Sequence, residues 1–254
     1  MKSYISIASA VLITVVVFSV TKPNTAYSDE PSIEKPQLVF LLIGQSNMAG
    51  RAHLEDEDRG PIEGTLLLND KGTWEPATNP MNRYSTDRKS LGMQRIGPGD
   101  GFARKMREAK PETTIGLIVN ARGGTAIELW ANGKPLYDHT IERLRKAGQT
   151  KIDAVLWHQG ESNSNDPQYI EKLVKLVETL RKDLGDPNLP FIAAKVYGNR
   201  PVNDHIAKLP EHVKGTAVVS AEELEVFDGV HFDRDSQKIL GQRYANAYIE
   251  ISSK

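Results

Sequence analysis

The chain has 254 residues, no cysteine, 32 Lys and Arg against 33 Asp and Glu, and a formal net charge of −1. With 39% hydrophobic and 26% charged residues, it has the composition of a globule with one full core, which excludes both a disordered chain and a strongly basic nucleic-acid binder. The missing thiols exclude disulfides, thiolate nucleophiles, thiolate metal sites and lipidated cysteine.

Lys2 precedes an apolar run from Ile5 to Val20, and Ala26 and Ser28 offer small side chains for cleavage, so residues 1–28 carry the pattern of a secretory signal peptide. The run approaches the length that spans a bilayer, and an uncleaved anchor is the rival reading. Removing Lys2 and Lys22 takes no acid away, which leaves a mildly acidic mature chain with nothing to attract nucleic acid. A periplasmic or secreted protein is expected, with no stable membrane anchor after cleavage. Residues 29–36 are polar and carry prolines, reading as a short tether to a single domain over 37–254.

Val39 to Ile43 is a continuous apolar run that suits a strand buried on both faces. It turns abruptly into Gly44-Gln45-Ser46-Asn47-Met48-Ala49-Gly50, so a hydroxyl lands just past the carboxyl end of a strand, where open α/β sheets place ligands. Ser46 is a candidate nucleophile. Alternatively, Ser46 and Asn47 only cap the next helix.

His53 with Glu55, Asp56, Glu57 and Asp58 can be read as a cation site or as a solvated acidic loop, and the spacing of a calcium loop is absent. Thr65 to Asn69 and the segment around Trp74 read as a small hairpin turning at Gly72, with Trp74 covering the core or lying near the active face. Asp100 is expected to cap a helix from Gly101 that Pro111 stops.

A second buried strand, Thr114 to Val119, leads into Arg122-Gly123-Gly124-Thr125, where adjacent glycines let backbone N–H groups approach a ligand or simply make a turn. A helix follows through Tyr137, Ile141 and Leu144, ending at Gly148. The third strand, Ile152 to Trp157, runs into His158-Gln159-Gly160-Glu161. Asp166-Pro167 opens a helix whose Ile170, Leu173, Val177 and Leu180 form a core-facing stripe. Phe191 to Val196 and Thr216 to Ser220 complete five strands, and Asp228-Gly229-Val230-His231-Phe232 precedes a C-terminal helix.

Alternating strands and helices predict an α/β fold in which a five-stranded parallel sheet carries helices on both faces. All strand carboxyl ends then share one edge, and the polar clusters gather there. A serine hydroxyl needs a base to take its proton, for which His231 is suited, and Asp228 or Glu161 can orient the ring. The N–H of Ser46, an N–H of Gly123 or Gly124, and the Gln159 side chain are available as oxyanion donors.

The segments Gly44 to Gly50, Arg122 to Thr125, Trp157 to Glu161 and Asp228 to Phe232 resemble the successive blocks of the SGNH hydrolase superfamily. The branch they look most like is that of the sialate O-acetylesterases and acetylxylan esterase-like enzymes of carbohydrate esterase family six, and the likeness runs from Leu38 into the C-terminal helix. It implies a three-layer flavodoxin-like fold and removal of acetyl groups from sugars without metal or cofactor. By this likeness Ser46, Asp228 and His231 form the triad, and Ser46, Gly123 or Gly124, and Gln159 form the oxyanion hole. Gln159 stands where the wider superfamily has asparagine, a change this branch shares, and Asn163 stands where Asp is expected in many relatives. The likeness leaves Asp228 and Glu161 as competing acids. Two other functions stay open, an esterase for lipid or other non-sugar esters and a carbohydrate-binding pseudoenzyme.

Overall fold

A computed structural model of the chain describes residues 35–149 and 151–253. The expected signal peptide and most of the expected tether lie outside the described residues. A seven-stranded sheet has the order β3-β2-β4-β1-β5-β6-β7. The strands are β1 (Leu38–Gly44), β2 (Thr65–Leu68), β3 (Trp74–Pro76), β4 (Ile115–Ala121), β5 (Ala154–His158), β6 (Phe191–Ala194) and β7 (Thr216–Val219). All neighbours run parallel except β3, which is antiparallel to β2. The expected count of five is corrected to seven. The predicted hairpin forms, but instead of standing apart it adds β2 to the edge of β4, with Leu67 opposite Leu117.

The helices are α1 (Ser46–Ala49), α2 (Gly99–Ala109), α3 (Pro135–Lys146), α4 (Tyr169–Leu184), α5 (Val202–Ala207), α6 (Leu209–His212) and α7 (Arg234–Ser252). The two-residue period of β1 divides the core. Val39, Leu41 and Ile43 pack with Tyr137 and Leu144 of α3 and Leu173 and Val177 of α4, while Phe40 and Leu42 pack with Phe102 and Met106 of α2 and Leu240 and Tyr244 of α7. Each face thus carries its own helix layer, giving three layers. Trp74 is partly buried against the α3 and α4 side, which settles its role as core cover. Among the described residues no helix is long and apolar enough to cross a membrane.

Asp100 does not cap α2. The helix starts at Gly99 with Pro98 as its N-cap, and Asp100 is buried in the first turn, pairing with Arg104 at 2.9 Å and accepting from Asn79 at 2.7 Å. The Gly97-Pro98 turn starts the helix two residues earlier than the sequence pattern suggests. The acidic stretch after His53 is likewise not simply solvated, because Asp58 is fully buried and pairs with Arg234 and Lys238 of α7. Among the described residues no group of three or more His, Cys, Asp or Glu side chains could hold a metal ion.

Candidate active site

The central strand β1 ends at Gly44, flanked by Ala121 of β4 and His158 of β5. Gly44 has φ +136°, and a Cβ there would lie 2.1 Å from the His158 carbonyl oxygen, so only glycine lets β1 turn at this point. The chain then makes the single turn of α1, closed by Gly50 at φ +85°. Ser46 is its first residue, so its backbone N–H has no partner within the helix. β4 lies on one side of β1 and β5 on the other: the chain leaves β1 toward β2, on the β4 side, and after β4 crosses back past β1 to β5. Ser46 therefore sits at a topological switch point, the usual crevice of an open α/β sheet.

The loop between β7 and α7 brings His231 to this crevice. An isolated antiparallel bridge between Val226 and Phe232 closes the loop, and the N–H of Phe227 donates to the His231 carbonyl at 3.0 Å. Ser46 Oγ lies 2.9 Å from His231 Nε2, and His231 Nδ1 lies 2.6 Å from Asp228 Oδ2. Asp228 Oδ1 also accepts the N–H groups of Val230 at 3.1 Å and His231 at 2.7 Å. Burial pushes the Asp228 carboxyl up, but its hydrogen bonds with the His231 ring and with these backbone N–H groups outweigh that and hold it below the usual carboxylate range. An ionised Asp228 can only accept, which places the ring proton on Nδ1 and leaves Nε2 free to accept from the Ser46 hydroxyl.

The contacts of Glu161 are with Asn47 and His158. It is buried, accepts from Asn47 Nδ2 at 2.7 Å and lies 3.5 Å from His158 Nε2. Burial raises its carboxyl, and the neighbouring His158, a backbone N–H and Asn47 bring it below the ordinary value. Asn47, which the sequence offered only as a helix cap, joins the two halves of the site. Its Nδ2 also donates to the Val230 carbonyl at 3.1 Å, and its Oδ1 accepts from the N–H of Phe232 at 3.1 Å and from Gln237 at 3.3 Å. The residue beside Ser46 thus grips the backbone on both sides of His231.

The two glycines after β4 differ. A Cβ on Gly123 would lie 3.2 Å from Ser46 Cβ, whereas one on Gly124 would meet only the end of Lys89. Gly123 is therefore the one that lies against Ser46. Gln159 is fully buried and does not point a free amide at Ser46. Its Nε2 donates to the Thr125 carbonyl at 3.1 Å and to Asn163 Oδ1 at 2.7 Å, which uses both N–H groups, while Oε1 accepts from Tyr169 at 2.9 Å. These bonds let Gln159 brace the Gly123-Gly124 loop through Thr125. Asn163 explains itself by the same network. Its Oδ1 accepts from Gln159 and the Ile127 N–H, and its Nδ2 donates to Asp166 and Glu128, a donation that Asp could not make.

Two further side chains border the crevice. Phe227 stacks on His231 with ring centroids 6.0 Å apart at 25° and is 56% exposed. Arg51, half-buried, brings its guanidinium against Gly123. Neither was singled out from the sequence, because an isolated Phe or Arg in a loop carries no pattern.

Comparison with known proteins extends this picture. Residues 36–250 match the family model described as carbohydrate esterase, sialic acid-specific acetylesterase. The chain is 32% identical to a probable carbohydrate esterase of Arabidopsis thaliana over 89% of its own length and 96% of the relative's. The X-ray structure of that Arabidopsis protein superposes with a TM-score of 0.75 at 29% identity, covering 85% of this chain and 99% of the other. The crystal structure of NanS shares the fold with a TM-score of 0.68 at 17% identity, covering 87% of this chain and 99% of that one.

Proposed function

The chain belongs to the carbohydrate esterase family of sialic acid-specific acetylesterases, and from that premise we propose that it is an exported serine esterase that removes O-acetyl groups from carbohydrate through an acyl-enzyme. The observation that carries this reading is the unbroken hydrogen-bond chain from Ser46 Oγ through the His231 ring to Asp228. Ser46 Oγ attacks the acetyl carbonyl carbon while His231 Nε2 takes its proton, and Asp228 holds the imidazolium that results. The N–H groups of Ser46 and Gly123 receive the oxyanion of the tetrahedral intermediate. As that intermediate collapses, His231 returns the proton to the sugar oxygen, which leaves as the free hydroxyl. Water then attacks the acetyl-Ser46 ester, His231 takes its proton, and acetate leaves with Ser46 restored.

Acetylated xylan and sialic acid-like sugars are the proposed substrates, and the exposed face of Phe227 beside His231 offers an apolar surface on which a sugar ring can rest. Acetate release measured across acetylated xylan, O-acetylated sialic acids and acyl esters of rising chain length tests the assignment. Ser46→Ala is expected to fold normally and lose roughly four to six orders of magnitude in turnover. A folded Ser46→Ala protein retaining a substantial fraction of wild-type turnover overturns the mechanism, and zero turnover by the wild type on every ester makes the chain a binding protein. Export is part of the same proposal, and the mature protein should begin near Asp29 when its N-terminus is read by mass spectrometry.

A further inference from the structure

The sheet edge that holds Ser46 also holds a cavity the mechanism does not use. It has a volume of about 380 Å³ and lies where β6 and β7 end, walled by Lys195, Tyr197 and Asn199 after β6, Asp204 of α5, and Glu222 and Glu223 after β7. That volume falls within the roughly 300–1,000 Å³ of small-molecule sites. Its frame is fixed, because Asn203 of α5 clamps the turn after β6. Asn203 Oδ1 accepts the Val196 N–H at 2.8 Å, and Nδ2 donates to the carbonyls of Val196 at 3.0 Å and Gly198 at 2.8 Å. Its walls are uncommitted: among the described residues, the side-chain polar groups of those six residues make no hydrogen bond or ion pair with the protein. The cavity between β2 and α3 differs in this respect, since its charged groups are already bonded, Lys146 to Glu142 at 2.9 Å and His139 to Asp87 at 2.8 Å. Glu223 has φ +64°, and among the described residues it is the only non-glycine at positive φ. A turn alone is served at lower cost by glycine, so this outlier points to a use for the Glu223 side chain. The cavity is also joined to the triad. Tyr197 meets Phe232 edge-on with ring centroids 6.4 Å apart, and Phe232 follows His231 directly. Glu222 and Glu223 lie at the root of the loop that carries Asp228 and His231.

We propose that this cavity is a glycan subsite, holding an uncharged, unacetylated sugar unit of the same chain whose acetyl ester is at Ser46. The proposal rests on the esterase reading and narrows its substrate to a neutral glycan chain. β6 and β7 are the second and third neighbours of β1, so at about 4.8 Å per strand the cavity stands roughly 10–14 Å along the edge from the strand end bearing Ser46. A short oligosaccharide covers that span and a single pyranose does not. Carboxylates accept from sugar hydroxyls, the Asn199 amide both donates and accepts, and Tyr197 supplies an aromatic ring with a hydroxyl. Three carboxylates against the one ammonium of Lys195 give the cavity a negative balance, which works against an anionic sugar.

The experiment follows kcat/KM of wild type and of the double variant Tyr197→Phe, Asn199→Ala on xylose and xylotetraose acetylated at the same hydroxyl, each divided by the value for 4-nitrophenyl acetate, which is too small to reach the cavity. Tyr197→Phe keeps the ring against Phe232, and Asn199 is exposed, so the double variant is expected to fold. In wild type the tetrasaccharide should exceed the monosaccharide roughly 10-fold, the worth of one or two hydrogen bonds, and the double variant should lose most of that gain. Equal values for the two sugars in wild type, or a gain that survives in the double variant, overturns the proposal. Calorimetric titration of unacetylated xylotetraose and of sialyllactose into Ser46→Ala, alone and combined with the two substitutions, tests the cavity without turnover. Xylotetraose binding that the two substitutions weaken supports the subsite. No xylotetraose binding, or tighter binding of sialyllactose, overturns it. Should the wild type hydrolyse no ester, the esterase reading fails by itself, and the titration still decides whether the cavity holds a neutral glycan.

Discussion

Asp228 places Oδ2 2.6 Å from His231 Nδ1 and uses Oδ1 to hold the loop backbone, while Glu161, the other carboxylate of the site, spends Oε1 on Asn47. The two acids therefore predict different losses. Asp228→Asn keeps the volume but offers a donor where the ring needs an acceptor, which favours the wrong tautomer and should lower kcat by up to roughly four orders of magnitude. Glu161→Gln keeps an oxygen that can accept from Asn47, and its loss should be distinctly smaller. Turnover of both variants, each shown to be folded by circular dichroism, checks the ranking, and the reverse order would transfer the orienting role to Glu161. Asn47→Ala strips partners from the Val230 carbonyl and the Phe232 N–H in the interior, so it should destabilise by about 1–3 kcal/mol while also lowering kcat through a loosened His231. At this scale the sequence was most legible where chemistry follows a strand. Ser46 ends an apolar run, and Asp-x-x-His carries its own partner. The bond of Gln159 to the Thr125 carbonyl was not legible, because a polar residue after a strand carries no mark of its partner in a distant segment.

At the scale of elements, the strands with continuous apolar runs were readable, because burial on both faces leaves a signal in each residue. β2 and β3 were readable as a hairpin but not as sheet members, since nothing within Thr65 to Pro76 says that Leu67 will lie beside Leu117. The crossing of α2 and α7 was invisible for a related reason. Gly101 and Gly241 look like weak points by helix propensity, which costs roughly 0.5–1 kcal/mol relative to Ala. In the fold they are where the two helices touch. A Cβ on Gly101 would lie 2.0 Å from the Lys238 carbonyl oxygen, and one on Gly241 would lie 2.1 Å from that of Pro98. Both obstacles are backbone and cannot rotate away. Gly101→Ala and Gly241→Ala should therefore reverse the sign that propensity gives, destabilising by about 2 kcal/mol or more through overpacking. Urea denaturation of each variant measures this, and equal or greater stability in either would mean that the helices separate at no cost.

For the whole molecule, function requires that the last loop of the chain meet the first strand, since His231 and Ser46 are 185 residues apart. The sheet order places the blocks after β1, β4 and β5 side by side, but His231 arrives only through the loop leading into α7. The start of α7 is tied to the early part of the chain by Asp58. That carboxylate is fully buried, lies 2.7 Å from Arg234 Nε and 2.6 Å from Lys238 Nζ, and accepts from the Glu55 N–H at 2.9 Å. Arg234 also bonds Glu57. Burial on its own would raise the Asp58 carboxyl, but the bonds from Arg234, Lys238 and the Glu55 N–H outweigh it and set the pKa far below the ordinary carboxylate value. A carboxylate depressed in the folded state contributes stability that is fully present above its unfolded pKa, about 3.9, and is lost as pH falls below that value toward the folded pKa. Asp58→Asn should thus be less stable than wild type at pH 7, by up to about 3 kcal/mol given two partly exposed cations left without their anion. The gap should narrow steadily below about pH 4, where the wild-type contribution itself fades. Urea denaturation of the pair at pH 7, 4 and 3 follows the difference directly, and the other carboxylates cancel because both proteins share them. A gap that stays constant across those pH values would show that Asp58 acts through packing and not through its charge. Because Arg234 follows His231 so closely, the same variant should also lose turnover at pH 7 while Ser46 and Asp228 are untouched, which would tie the early loop to the chemistry through α7.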